Sequence, residues 1–260
     1  MSGPKQSIAA SKVPPVILAF WVVKILATTV GETGGDALSM TLKLGYAVST
    51  LVFMAFFAIT LAAQVIARRY HPVSYWAVVV ATTTVGTTLS DYMDRTLGLG
   101  YVKSSAMLLC GVVLMLVIWR FATGSIAVDR ITTRKNELFY WVTILVSNTL
   151  GTALGDFVAT DAGLGLEKGA LVFAGLIALV AATHFLTKAP EAVLFWAAYI
   201  LTRPLGATLG DTLTKSGPEG GLGFSRITSS LVLATSMAVV VALTSLRRPA
   251  SDGEHVRQRP

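Results

Sequence analysis

The sequence predicts an all-α membrane protein: eight transmembrane helices, arranged as four parallel-repeat helical hairpins around a pseudo-symmetric axis. Three observations carry that expectation. First, 53% of the 260 residues are hydrophobic and 13% charged, whereas an ordinary soluble domain carries about 25% charged residues. Second, uncharged runs at 46–67, 104–119, 170–186 and 227–246 approach or reach the roughly 20 apolar residues that carry a helix across a bilayer. None alternates apolar with polar residues as barrel strands do. Third, an aromatic-Trp pair recurs four times, followed ten residues after the Trp by Gly and fifteen after it by Asp. Such self-similarity is the mark of a repeat array.

Each repeat reads as a motif helix, a Gly-containing turn and a plainer apolar helix. Repeat 1 has Phe20-Trp21, Gly31 and Asp36, then the turn Leu44-Gly45-Tyr46. Repeat 2 has Tyr75-Trp76, Gly86 and Asp91, then Leu99-Gly100-Tyr101. Repeat 3 has Tyr140-Trp141, Gly151 and Asp156, then Leu164-Gly165-Leu166. Repeat 4 has Phe195-Trp196, Gly206 and Asp211, and its turn to Leu222-Gly223-Phe224 is longer by three residues. The Trp-to-Trp intervals are 55, 65 and 55 residues, and the longer one holds a polar linker. The expected divisions are an N-terminal segment 1–12, a first half 13–122, a linker 123–136, a second half 137–247 and a basic, disordered tail 248–260.

Lys5, Lys12, Arg68, Arg69, Arg120, Arg130, Arg134, Lys135, Lys188, Arg247 and Arg248 fall at one end of the runs, and the repeat acids at the other. Cationic loops stay cytoplasmic, so both termini are expected in the cytoplasm of a bacterium, with the inner membrane as the site. The net charge of +7 thus orients the chain in a lipid bilayer and does not point to nucleic acid. Cys110 is alone, which excludes a disulfide framework. The Trp residues are expected as interfacial anchors, and Lys24 is expected to snorkel. Oligomeric state is open.

Positions eight, eleven and fifteen after each Trp share a helix face. They are Thr29, Glu32 and Asp36; Thr84, Thr87 and Asp91; and Thr149, Thr152 and Asp156. Repeat 4 has Pro204 and Ala207 before Asp211, and places Arg203 where the others have Thr28, Thr83 and Asn148. Polar stripes in lipid face a bundle interior, so the motif helices are expected to form an inner ring. Glycines let its members approach closely. In such a ring repeats 1 and 4 are neighbours, and Glu32 and Arg203 are expected to form a structural ion pair. The plainer alternative is that each Asp ends its own helix and binds turn amides.

The opening segment resembles a bacterial family known as uncharacterised membrane-anchored proteins. The likeness rests on Phe20, Trp21, Lys24, Leu26, Thr28, Thr29, Gly31, Glu32 and Asp36. It supports the architecture and brings no established activity. The Gly-Glu…Asp phrase is also loosely similar to the acidic motif of a repeat family of manganese-associated cation exporters, although residue order and hairpin plan differ.

Asp36, Asp91, Asp156, Asp211 and Glu32 are the candidate metal ligands, with Thr29, Thr84, Thr149 and Asn148 as further oxygen donors. Such hard oxygens suit Mg²⁺, Ca²⁺ or Mn²⁺. Clustered carboxylates need a counter-charge or protons, which a cation exchanged for protons would supply. No nucleophile–base pair, metalloprotease motif or phosphate loop is present, so no enzyme and no resident cofactor is expected. The expected function is inner-membrane transport of a divalent cation, Mn²⁺ favoured, by proton-coupled export. A passive pseudo-tetrameric channel and a non-transporting scaffold or sensor are the alternatives.

Overall fold

A computed structural model describes residues 11–67 and 69–246. The expected segments 1–12 and 248–260 lie mostly or wholly outside the described residues. Within them are eight α-helices: α1 (Leu18–Asp36), α2 (Gly45–Ile66), α3 (Pro72–Asp91), α4 (Tyr101–Thr123), α5 (Arg134–Asp156), α6 (Gly165–Leu186), α7 (Glu191–Thr214) and α8 (Arg226–Leu246). Six of them, α2 and α4 to α8, are long and apolar enough to cross a membrane. The exceptions, α1 and α3, carry polar residues that the ring buries, including Lys24, Glu32 and the threonines at 82–84.

The motif helices form a closed inner ring in the order α1, α3, α5, α7, with α7 returning to α1. Around it α2 lies on α3, α4 on α5, α6 on α7, and α8 on α1. Each outer helix therefore packs chiefly on the motif helix of the next repeat, and α8 closes the circle. This differs from four self-contained hairpins. The turns splay each pair apart, so no repeat can bury its apolar face alone.

Glycine makes the ring narrow. A Cβ on Gly31 would overlap Thr83, one on Gly86 would meet Asn148, one on Gly151 Arg203, and one on Gly206 Thr28. In every case the position-ten glycine of one motif helix receives the position-seven side chain of a neighbour. Close approach also lets threonines bond across the ring: Thr83 Oγ1 donates to the Ala27 carbonyl at 3.1 Å and Thr87 Oγ1 to the Gly31 carbonyl at 3.0 Å.

The turns repeat as well. Five-residue π-turns follow three of the aspartates, at Ala37–Thr41, Tyr92–Thr96 and Phe157–Asp161. Gly45, Gly100, Gly165 and Gly223 stand at or up to three residues before the start of the outer helices with φ between +70° and +75°, a conformation that favours residues without a Cβ. In repeat 4, where three extra residues stand, a 3₁₀ turn at Gly217–Glu219 replaces the π-turn.

At the opposite end from the aspartates, the aromatic pairs interlock. Phe20 packs on Trp76, Tyr75 on Trp141, Tyr140 on Trp196 and Phe195 on Trp21, with ring centroids 5.4–6.0 Å apart. Trp76, Trp141 and Trp196 are buried. The expectation of interfacial anchors is thus corrected for these three, whose rings pack inside the bundle, while Trp21 is half-buried.

Candidate metal centre on the ring axis

Above the aromatic floor the interior of the ring is polar. Lys24 is fully buried, where a snorkelling side chain was expected. Three residues past Trp21 its face turns inward, and the interior offers partners. Its Nζ donates to Asn148 Oδ1 at 3.3 Å and lies 4.1 Å from the centre of the Tyr199 ring. Asn148 Nδ2 donates onward to Thr82 Oγ1 at 3.0 Å. Asn148 thus serves Lys24 in this layer, and no hydrogen bond joins it to a carboxylate among the described residues.

One turn higher, Arg203 crosses the axis. Its two terminal nitrogens each donate to Glu32 Oε2 at 3.0 Å, and Nη2 also reaches Thr87 Oγ1 and Thr152 Oγ1 at 2.6 Å. Position eleven of repeats 1, 2 and 3 therefore supplies all three of these partners. Repeat 4 has Ala207 there, which leaves room for the long side chain from its own position seven. Both residues of the pair are buried, so the contact closes the ring between its first and last repeats.

The four aspartates lie at the next level, all buried. Arg95 bridges Asp91 at 3.0 Å and Asp156 at 3.7 Å; Lys215 bridges Asp211 at 2.7 Å and Asp156 at 3.7 Å. Arg226, opening α8, reaches Asp36 at 3.4 Å. Ligand oxygens of Glu32, Asp36 and Asp211 lie within 4.8 Å of one another. Oxygens on opposite sides of a bound Ca²⁺ would be about 4.6–5.2 Å apart, so the spacing fits one hard cation. The five carboxylates thus form a single cluster. None of the four Asp side chains bonds a turn amide among the described residues, because backbone contacts such as Leu42 N to the Ala37 carbonyl at 2.9 Å already close the turns.

Thr29, Thr84 and Thr149 stand elsewhere. Their hydroxyls donate to Ile25, Val80 and Leu145, carbonyls one turn back in their own helices, at 3.0–3.1 Å. Thr87 and Thr152 are the hydroxyls that line the axis, one helical turn further along.

Arg95, Lys215 and Arg226 are absent from the sequence-based site. Two of them had a local signal: Asp91 with Arg95 and Asp211 with Lys215 are i,i+4 pairs, which face each other on a helix. Arg226 had none, since it reaches Asp36 from the far end of the chain. Five carboxylates meet four cations here, Arg203 included. Burial works against the Lys215 ammonium, but Asp211 and Asp156 outweigh it and hold its pKa above the usual lysine value. Nearby, Ser216 donates to Glu219 in a capping box, which holds that carboxyl below its ordinary range and fixes the longer fourth turn.

Four stretches, 19–70, 74–125, 139–189 and 194–249, each match the model of a family described as a repeat of unknown function, DUF347. The match does not extend to the manganese-associated exporters. No curated protein and no solved structure matches the chain.

Proposed function

We propose that this chain, which belongs to the DUF347 repeat family, is a multi-pass transporter of a divalent cation in the bacterial inner membrane. In this reading all eight helices cross the bilayer. Polar α1 and α3 can do so because α2, α4, α6 and α8 stand between the ring and lipid. Both termini are cytoplasmic, and the acidic end faces outward.

One observation carries the reading: the carboxylates of Glu32, Asp36 and Asp211 converge from two adjoining motif helices at the end of the ring axis. Arg203, Arg226 and Lys215 each hold one of these acids. A hard cation would compete with the guanidinium groups, and protons would neutralise the acids once the ion leaves. Asp91 and Asp156, bridged by Arg95, would relay the ion or a proton to this trio. Mn²⁺ remains the favoured substrate on ligand chemistry alone. A passive pore is the weaker reading, since Arg203 and the aromatic floor fill the axis.

A non-transporting scaffold is the second reading, favoured by the near-complete neutralisation of the acids by internal cations. Flux measurements separate the two. Purified protein in liposomes should move at least one of Mn²⁺, Mg²⁺, Ca²⁺, Co²⁺ or Ni²⁺, and Asp36→Asn and Asp211→Asn should abolish that flux while the protein still assembles. Absence of flux for the whole panel would overturn transport and leave the scaffold.

A further inference from the structure

The end of the axis opposite the aspartates is closed by a separate device. The buried cluster that holds Phe20, Tyr75, Tyr140 and Phe195 also takes in Ile131 of the linker, and Ile126 and Val128 of the linker and Val13 of the N-terminal segment pack partly buried against it. Polar contacts hold this cover down. Trp196 Nε1 donates to the Ile126 carbonyl at 3.0 Å. Ser11 Oγ donates to the Val128 carbonyl at 2.8 Å and Lys12 N to the Ile131 carbonyl at 3.3 Å. The N-terminal segment thus straps the linker in place.

Lys12 fastens the strap. Its ammonium lies 2.8 Å from Glu137 Oε2 and also donates to the carbonyls of Val65 at 3.2 Å and Gln64 at 3.4 Å. It therefore joins the start of α5 to the end of α2, at the negative end of that helix. Glu137 stands four residues before its Trp, where the other repeats have Ile17, Pro72 and Ala192. The acid is therefore particular to repeat 3, and its ion pair is with the N-terminal segment.

Polar atoms also lie buried beside the latch. Glu137 Oε1 and both side-chain polar atoms of Gln64 are buried and have no hydrogen-bond partner among the described residues. Buried polar groups normally find partners, and these would gain water if the strap lifted. The latch is thus one ion pair, with two further bonds from the same ammonium to the end of α2.

We propose that the strap at residues 11–13, latched by Lys12 on Glu137, is the gate at the linker end of the axis. This rests on the transport reading above and supplies the second gate that alternating access would require. Opening separates Lys12 from Glu137, lifts Val13 and the linker from the aromatic floor, and exposes Tyr140 to water.

The test is thiol labelling of the full chain in nanodiscs, on a Cys110→Ser background, with a charged thiol reagent. Ile131→Cys, on the buried side of the cover, and Tyr140→Cys, beneath it, are the reporters, and Ala81→Cys, buried in the ring, serves as control. Lys12→Met and Glu137→Gln should each raise labelling of the two reporters at least tenfold, Lys12→Arg should keep it at the parent rate, and the control should stay unlabelled. Unchanged rates at both reporters would overturn the gate. So would equal acceleration of the control, or a Lys12→Arg rate matching Lys12→Met, since either outcome means general loosening. Labelling does not depend on transport, so a parent protein without cation flux would defeat the transport reading while the latch is still tested by its own rates.

Discussion

Arg203 spans the centre of the ring and sets both ends of its guanidinium 3.0 Å from one oxygen of Glu32. Each is the charged exception among four equivalent positions, and the two occur in the repeats that meet only when the ring closes. The pair therefore ties the two ends of the array together through a buried layer.

Breaking that pair on one side strands a buried charge, which costs about 3–5 kcal/mol. Glu32→Gln and Arg203→Gln should each lower the unfolding midpoint in detergent sharply. The double replacement should cost clearly less than the sum of the two. Additive losses in a double-mutant cycle would mean that the residues do not depend on each other.

The ring glycines should be intolerant and the outer ones indifferent. Gly151→Ala places a methyl inside Arg203, and Gly206→Ala places one against Thr28. Overpacking of this kind costs about 1–3 kcal/mol. Gly175, on α6, meets nothing within 4 Å, so Gly175→Ala should be neutral or stabilising by about 0.5–1 kcal/mol. Thermal unfolding of the three variants side by side checks the contrast.

Lys43 has φ +58° at the turn position where repeats 2 and 3 have Gly98 and Gly163. Left-handed backbone costs a non-glycine residue about 1–2 kcal/mol. Lys43→Gly should therefore raise the midpoint by a few degrees, and a lowered midpoint would show that the side chain contributes more than the backbone loses.

Arg226 competes with any cation at Asp36, being 3.4 Å from its carboxylate. If the acidic cluster binds metal, Arg226→Gln should tighten binding of Mn²⁺ about tenfold, equivalent to about 1.4 kcal/mol. Titration calorimetry on the purified protein reads this directly. Weaker or unchanged binding would count against Asp36 as a ligand.

Repeat number, the turn glycines and the adjacency of repeats 1 and 4 could be read from residue spacing, because a helix and its turn depend on residues close together in the chain. The Arg203–Glu32 contact was readable because each is the charged exception in its own repeat and ring closure makes repeats 1 and 4 neighbours. Arg95 and Lys215 were within reach, since each stands four residues after its aspartate on the same helix face. Lys24 and three of the four motif tryptophans were misjudged because hydrophobicity measures distance from water and does not distinguish a lipid boundary from a packed interior.

What the amino-acid order determined alone was local: four copies of a helix carrying small, hydroxylic and acidic residues at set intervals, each ended by a glycine turn. Tertiary structure decided which helices those intervals would meet. Outer helices cover the next repeat, Arg226 crosses from the last repeat to the first aspartate, and Lys12 finds Glu137 across 125 residues. The physical reason is that helical periodicity is set within about four residues, whereas burial is set by whichever surfaces the closed ring brings together.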